Sequence, residues 1–160
     1  MSKCYLLLGT NLNDKVSNME EAAREISIQV GDVLTKSSIY LTAAWGKNDQ
    51  EDFLNQVLCI ETQHKPVDVM NLCLQIENDM GRVRFEKWGS RLIDIDVLFY
   101  ESEIVDLENC KIPHPEVQNR RFTLEPLDEI APNLNHPIVN KTIKELLEIC
   151  PDQLDVTKLE

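Results

Sequence analysis

The run GRVRFEKWGSRLIDIDVLFY, residues 81–100, decides the fold, because it joins a basic loop to the strongest strand pattern in the chain. In residues 92–100 apolar side chains alternate with two aspartates and then become continuous, which predicts a strand that enters the core. Side chains alternate between the two faces of a strand, so Asp94 and Asp96 share one face. The sequence therefore predicts a core strand that presents two carboxylates on one side.

Outward from this strand, the sequence predicts further strands and three helices. The strands are expected at residues 4–8, 33–42, 53–61 and 92–100, with a short strand near Ile104 that pairs with the last of them. The helices are expected from Asn13 or Asp14 to Val30, over residues 66–80, and from Thr142 to Cys150. Pro66 suits a first helical turn, and Thr142 with Glu145 forms a capping box.

The order of these elements, β-α-β-β-α-β, is that of the ferredoxin-like arrangement. It predicts an α+β protein, a two-layer sandwich whose mostly antiparallel sheet carries the helices on one face. The other face would stay free for a site. A length of 160 residues, with 42% hydrophobic and 28% charged residues, suits a single domain over residues 1–160.

Charge and cysteine content exclude several classes of protein. The net charge of −12 argues against a nucleic-acid partner, since binding to a phosphate backbone needs clustered Lys and Arg. The five cysteines form no C-x-x-C pair, so reduced thiols in the cytosol are expected. No apolar run is long enough to predict a membrane span, and the first residues show no targeting pattern. We expect a cytoplasmic monomer.

The aspartate pair is a candidate magnesium site. Two neighbouring carboxylates repel each other unless a positive charge neutralises them. Mg²⁺ is often held by one or two carboxylates together with substrate phosphates. Taken alone, Asp94 and Asp96 are explained more simply as a solvent-exposed strand face that carries two acids.

The basic stretch before the strand favours the magnesium interpretation of Asp94 and Asp96. This stretch contains Gly81 and Gly89 together with Arg82, Arg84, Lys87 and Arg91. Guanidinium groups bind phosphate oxygens through paired hydrogen bonds, so a cationic loop that closes beside two carboxylates fits Mg-nucleotide chemistry. A solvated loop whose arginines pair with surface acids fits equally well. Trp88 in this loop either packs on the core or stacks on a flat ring.

Other polar and aromatic residues also have two interpretations each. Phe53 and Asn55 share a strand face, where they bind a planar heterocycle or form a half-buried edge. His114, between two prolines, is more often a loop hydrogen-bonder than a catalyst. Arg120 adds positive charge or pairs with an acid such as Glu125. The sequence contains neither a P-loop nor a G-x-G-x-x-G pattern, so an ATP site here is of another kind.

Four blocks of the sequence together resemble the family of 6-hydroxymethyl-7,8-dihydropterin pyrophosphokinases. Residues 81–100 resemble its R-W-G-P-R-x-[LI]-D-[LI]-D-[IV] signature, and LLLGTNL at 6–12 resembles its strand ending in G-[ST]-N-L. The third block is Y-x-T at 40–42, W-G at 45–46 and D-F-L-N at 52–55, and the fourth is PHPEVQNRRFTLEPLDEIAP at 113–132. The blocks follow the family's order and span most of residues 4–137, which makes the resemblance specific.

The resemblance implies a set of site residues by position. Catalysis falls to Arg82, Arg91, Asp94 and Asp96, and the two aspartates ligate two Mg²⁺ ions that bridge the triphosphate. Contacts to ATP fall to Glu77, Arg82, Arg84, Trp88, Arg91, Val97, Lys111, His114 and Arg120. Contacts to the pterin fall to Thr42, Ala43, Trp45, Phe53, Asn55, Asp94 and Phe122.

The resemblance also implies a reaction of folate biosynthesis, with ATP and 6-hydroxymethyl-7,8-dihydropterin as small-molecule substrates. The hydroxymethyl oxygen attacks the β-phosphorus of ATP, and the products are AMP and the pterin diphosphate. Closure of the loop at 82–91 would gate turnover. Two other classes stay open: a non-catalytic ligand-binding sensor on a ferredoxin-like sheet, and an RNA-binding sheet, which the acidic charge disfavours.

Overall fold

The computed structural model describes residues 1–11, 14–42, 52–81 and 92–159. Within these ranges the strands are β1 (Ser2–Thr10), β2 (Asp32–Lys36), β3 (Tyr40–Thr42), β4 (Phe53–Thr62), β5 (Asp94–Tyr100), β6 (Val105–Leu107), β7 (Cys110–Ile112) and β8 (Val156–Lys158). The helices are α1 (Lys15–Gln29), α2 (Pro66–Gly81), α3 (Arg121–Ile130) and α4 (Ile143–Glu148), and Val117–Asn119 form a 3-10 turn.

The main sheet is built around β1, whose central residues are buried on both faces. Its strands follow the order β5-β1-β4-β3-β8, and β2 also pairs with β4. Every pairing described is antiparallel. At the end of β1, Gly9 lies opposite Asn55 of β4 on one side and opposite Asp94 of β5 on the other. The prediction of mixed helices with an antiparallel sheet is confirmed.

Helices cover both faces of this sheet. A first apolar cluster, which includes Leu8 and Ile26, packs α1 and α2 on one face. A second apolar cluster, which includes Leu7 and Leu124, packs α3 and α4 on the opposite face. The expectation of two layers with helices on one face alone is therefore wrong. The physical reason is that α3 and α4 bring apolar side chains of their own, which are stable only when the sheet buries them.

Two strand predictions also need correction. The single strand expected at 33–42 is interrupted, because the Ser37 hydroxyl accepts a hydrogen bond from the Val57 amide at 2.9 Å and so replaces a regular ladder contact. The short strand near Ile104 begins one residue later and pairs with β7, with Val105 opposite Ile112, and not with β5. At Ser37, one hydroxyl thus interrupts a strand that the apolar pattern predicts to be continuous.

The helix ends agree with the sequence signals. The Asp14 carboxylate caps α1 by accepting a hydrogen bond from the Ser17 amide at 3.2 Å. Pro66 is the first residue of α2. At α4 the Thr142 hydroxyl accepts from the Glu145 amide at 3.2 Å, while the Glu145 carboxylate accepts from the Thr142 amide at 2.8 Å. The predicted capping box is confirmed.

All five cysteines lie among the described residues as buried free thiols. Burial raises the pKa of Cys4 well above its usual value. Burial, with smaller effects from Glu77 and Asp96, raises the pKa of Cys73 to about 12. Because the thiolate is the nucleophilic form, these two thiols stay protonated and act as small apolar groups. In the part of the chain that the structure describes, no helix combines the length and the hydropathy of a membrane span.

Leu124→Ala should lower the free energy of unfolding by about 2–5 kcal/mol, because it empties a fully buried position between α3 and the sheet. The matched change Leu107→Ala removes a side chain that is 49% exposed and should cost about 0.5 kcal/mol or less. Urea denaturation measures both changes. Equal losses of unfolding free energy in the two variants would contradict the packing of α3 against the sheet.

Candidate functional site

A cavity of about 210 Å³ opens on the face of the sheet that carries α3 and α4. It is formed by residues of β1, β3, β4 and β5, by the start of α3 and by the C-terminal segment, residues 151–159. The described residues that line it are Leu7, Gly9, Thr42, Phe53, Asn55, Asp94, Asp96, Arg120, Phe122 and Leu154. Apolar side chains therefore meet two carboxylates and a guanidinium group within one concave site.

The strand register at Gly9 builds one wall of the cavity. A Cβ atom at Gly9 would lie 2.7 Å from the Asn55 side-chain nitrogen, which is too close for any other residue without displacing the amide. That nitrogen donates a hydrogen bond to the Leu8 carbonyl at 3.3 Å. Asn55 is only 5% exposed, so its amide is held in place at the cavity wall.

Asp94 and Asp96 both line the cavity, whereas Ile95 between them is buried in the first apolar cluster. The predicted alternation of faces is confirmed. From α2, the Glu77 carboxylate accepts a hydrogen bond from the Ile95 amide at 2.6 Å. This contact ties the strand between the two aspartates to α2.

His114 is half-buried and electrostatically coupled to residues of the cavity. Burial, the largest cause, lowers the pKa of His114; Asp96 opposes this shift, and Arg120 supports it. Its Nδ1 accepts a hydrogen bond from the Glu116 amide at 3.1 Å. A neutral imidazole that accepts at Nδ1 carries its proton on Nε2, so His114 can donate one hydrogen bond to an anionic ligand.

The start of α3 sends two neighbouring arginines in different directions. Arg120 lines the cavity, with its guanidinium carbon 5.7 Å from the centre of the Phe122 ring. Arg121 instead forms an ion pair with Glu125 at 3.3 Å and donates from Nε to the Asp152 carbonyl at 3.0 Å. Of the two, Arg120 is therefore the cation available to a ligand in the cavity.

Thr42 contributes a buried polar group to the cavity. Its side chain is 4% exposed, and its hydroxyl has no hydrogen-bond partner among the residues that the structure describes. A buried hydroxyl without a partner is costly, and a ligand that bonds to it recovers that cost. The hydroxyl is therefore a candidate contact for a polar ligand.

Other predicted site residues lie elsewhere or outside the described ranges. The Val97 side chain is buried in the first apolar cluster, which leaves only its backbone for a contact with ATP. Lys111 is exposed and pairs with Asp106 at 2.7 Å. Among the ranges 1–11, 14–42, 52–81 and 92–159, neither residue lines the cavity. The predictions for Ala43, Trp45, Arg82, Arg84, Trp88 and Arg91 fall outside the described residues.

Three cavity residues were not predicted from the sequence: Leu7, Gly9 and Leu154. A signal for Gly9 was present, because a glycine directly after an apolar strand often marks a close approach of another group. Leu7 is indistinguishable from other core leucines in the sequence. Leu154 lies in a short polar segment without any periodicity, so no local signal identifies it.

Two carboxylates and a guanidinium group next to an apolar slot fit one class of enzyme: a transferase that acts on a nucleotide and a flat small molecule. A family model described as 7,8-dihydro-6-hydroxymethylpterin-pyrophosphokinase (HPPK) matches residues 5–132. The chain belongs to this family. Its members are ATP-dependent pyrophosphokinases that transfer pyrophosphate to hydroxymethyldihydropterin in folate biosynthesis.

Individual relatives agree with this assignment. The chain is 42% identical over 148 residues to a 2-amino-4-hydroxy-6-hydroxymethyldihydropteridine pyrophosphokinase of Methylorubrum extorquens, covering 92% of each chain. It is 38% identical over 152 residues to the protein of that name from Haemophilus influenzae, covering 92% of this chain and 95% of the relative. Plasmodium falciparum HPPK-DHPS has the same fold, with a TM-score of 0.72 and 17% identity over 92% of this chain and 44% of that chain.

Gly9→Ala should weaken pterin binding about tenfold, because the new methyl group displaces the Asn55 amide from the cavity wall. In an Asn55→Ala background the same change should add little, since the group it displaces is already absent. Calorimetric titration with 6-hydroxymethyl-7,8-dihydropterin measures all three variants. If the losses in binding free energy from Gly9→Ala and Asn55→Ala simply add in the double variant, Gly9 acts through something other than Asn55.

Proposed function

We propose that this protein performs pyrophosphate transfer from ATP to 6-hydroxymethyl-7,8-dihydropterin in the cavity beside Asp94 and Asp96. The observation that carries the proposal is the strand register at Gly9, which brings the Asn55 amide and the Asp94 carboxylate to the same cavity. A heterocycle bound against the amide then has its reacting substituent next to the carboxylates. Positioning of this kind, together with electrostatic stabilisation, accounts for most of the rate enhancement in phosphoryl transfer.

In this proposal the pterin lies in the apolar slot between Phe53 and Phe122. Both rings line the cavity, and aromatic side chains bind flat rings by stacking. Asn55 and Thr42 would bond to the polar edge of the heterocycle. Their burial supports this role. A pterin that bonds to the Thr42 hydroxyl is favoured over an apolar ring that leaves this hydroxyl unpaired.

The ATP side of the site would be formed by charged groups. Arg120 faces the cavity, and His114 can donate from Nε2. Glu77 would act by holding β5 in position, since its carboxylate bonds to the Ile95 amide. The family resemblance adds phosphate contacts from Arg82 and Arg91 and an ATP contact from Arg84, with Trp88 on the same loop. These cations would offset the charge that develops on the phosphates during transfer.

The residues present fit magnesium. Asp94 and Asp96 offer carboxylate oxygens on one face of a strand, and Mg²⁺ favours a site of one or two carboxylates completed by substrate phosphates. We propose that the pair holds two such ions, as the resemblance implies. When bound, the metal would neutralise the triphosphate and polarise its oxygens. The chain's own contribution is to orient the hydroxymethyl oxygen in line with the β-phosphorus and to exclude water.

Several finer features complete the proposal. The core formed by β1, α1, β2, β4, α2 and β5 is proposed to be ferredoxin-like, which is supported by the β5-β1-β4-β2 strand order. The chain is proposed to work as one domain and as a monomer in the cytosol. The buried free thiols support this compartment, because reduced cysteines are typical of it.

Thr42→Val should raise the free energy of unfolding by about 1 kcal/mol, because it keeps the side chain's shape and removes a buried hydroxyl that lacks a partner among the described residues. The same change should weaken pterin binding about fivefold or more, because the ligand loses a hydrogen bond. Urea denaturation and calorimetric titration measure the two effects. A loss of stability would show that the hydroxyl is already bonded in the free protein.

The reaction itself is tested by incubating the protein with ATP, magnesium and 6-hydroxymethyl-7,8-dihydropterin and identifying the nucleotide product. AMP should form in step with the pterin diphosphate. Asp94→Ala and Asp96→Ala should each lower the rate at least about 100-fold, because each removes a carboxylate that would hold the magnesium on the triphosphate. Asp32→Ala, which removes an exposed carboxylate at the start of β2, is the matched control and should not affect the rate.

Formation of ADP would mean transfer of a single phosphate and would contradict the proposal. If ATP and pterin both bind but no product forms, the protein is a ligand-binding sensor on the same scaffold.

A further inference from the structure

The C-terminal segment, residues 151–159, is tied to the cavity through one carboxylate. Asp152 accepts a hydrogen bond from the Arg121 amide at 3.0 Å with Oδ2, and from the Leu154 amide at 2.9 Å with Oδ1. Its backbone carbonyl accepts a third bond, from Arg121 Nε at 3.0 Å. The two oxygens of this side chain therefore join two segments that are about thirty residues apart in sequence.

Both segments supply walls of the cavity. Arg121 is the first residue of α3, and its neighbours Arg120 and Phe122 line the cavity. Leu154 lines the cavity from the C-terminal segment. Asp152 itself does not line it among the described residues. It thus connects three lining side chains without contacting the space where a ligand would lie.

The bond to Arg121 has a clear physical role at the helix start. The first amides of a helix have no partner within the helix, and a negative charge there is favourable. Arg120, at the N-cap position of α3, provides no side-chain cap. Asp152 supplies the missing acceptor from a distant part of the chain, so the position of the helix start depends on the C-terminal segment.

A second set of contacts joins the C-terminal segment to β3 and to the far end of α3. β8 pairs with β3, with Val156 opposite Thr42. Glu129, near the end of α3, accepts a hydrogen bond from the Tyr40 hydroxyl of β3 at 2.7 Å and pairs with Lys158 of β8 at 3.8 Å. Since α3 is held at both ends, loss of Asp152 should release its start and leave the rest of the helix in place.

We propose that Asp152 is a positioning residue for the pterin side of the cavity, and that Leu154 is part of the wall that it holds. Asp152 keeps Phe122 and Leu154 at a fixed separation, so both side chains hold their places in the wall around the heterocycle. Both Asp152 and Leu154 lie beyond residues 5–132, the part of the chain that the family model matches. The inference rests on the proposed function, because it takes the cavity to be the pterin subsite.

The test compares Asp152→Ala and Asp152→Asn with the matched control Asp155→Ala, an exposed carboxylate three residues further on. Steady-state rates give kcat and KM for each substrate, and calorimetric titration gives the Kd for the pterin. Asp152→Ala should raise the KM and the Kd for the pterin about tenfold, with kcat within about twofold. Asp152→Asn keeps one acceptor oxygen and should fall between the wild type and Asp152→Ala. Asp155→Ala should match the wild type.

Leu154→Ala provides a second, independent variant if Asp152→Ala does not fold. It should raise the KM for the pterin about fivefold with little change in the KM for ATP, because it removes only an apolar wall. Its control is Leu159→Ala, a leucine in the same segment that is 37% exposed.

Two failures can be told apart. A wild-type protein that makes no AMP contradicts the proposed function. An active wild type whose Asp152 and Leu154 variants keep the pterin KM and Kd of their controls overturns the positioning role alone. A lowered melting temperature with unchanged pterin constants has the same meaning, since it shows that the contact only stabilises the fold.

Discussion

The site depends on one constraint, the register of three antiparallel strands at Gly9. Because Gly9 has no side chain, Asn55 can lie across it from β4, and the same residue lies opposite Asp94 of β5. A slip of one residue would turn every side chain of a strand to its other face. Asp94 and Asp96 would then enter the first apolar cluster, where two carboxylates are strongly disfavoured. The apolar residues that bury β1 on both faces therefore also fix the chemistry at its end.

The net charge of the protein bears on how the site could bind a triphosphate. With a net charge of −12, the chain as a whole repels a triphosphate. Under the proposed function, binding relies on cations gathered at the site and on the metal that the two carboxylates are proposed to hold. Arg120 is directed into the cavity, while its neighbour Arg121 is engaged by Asp152 and Glu125. This division leaves one guanidinium for a ligand and uses the other to hold the helix that carries it.

Local sequence signals predicted those elements whose formation depends on residues that are close in sequence. Strand alternation gave the shared face of Asp94 and Asp96, and side-chain capping gave the starts of α1 and α4. α3 was missed because Pro126 lies inside it, where proline normally argues against a helix. β8 was missed because its three residues form a strand only by pairing with β3, which lies more than a hundred residues earlier.

The same distinction applies to the site. The family resemblance and the strand pattern identified Phe53, Asn55 and Phe122, and these side chains line one cavity together with the aspartates. Leu154 could not be found in this way, because its position depends on contacts between distant segments. The break at Ser37 is similar, since a hydroxyl that bonds to the Val57 amide leaves no trace in the apolar pattern. Long-range polar contacts of this kind are the part that sequence patterns do not encode.

The most direct measurement is a crystal structure of the protein with 6-hydroxymethyl-7,8-dihydropterin, magnesium and a non-hydrolysable ATP analogue. The expected result is a pterin ring between Phe53 and Phe122, with its polar edge on Asn55 and its hydroxymethyl group directed at the β-phosphate beside Asp94 and Asp96. A pterin bound elsewhere, such as in the groove between α1 and α2 that Glu21, Glu25 and Asp79 line, would contradict the account. So would a ring in the cavity whose hydroxymethyl group points away from the two aspartates.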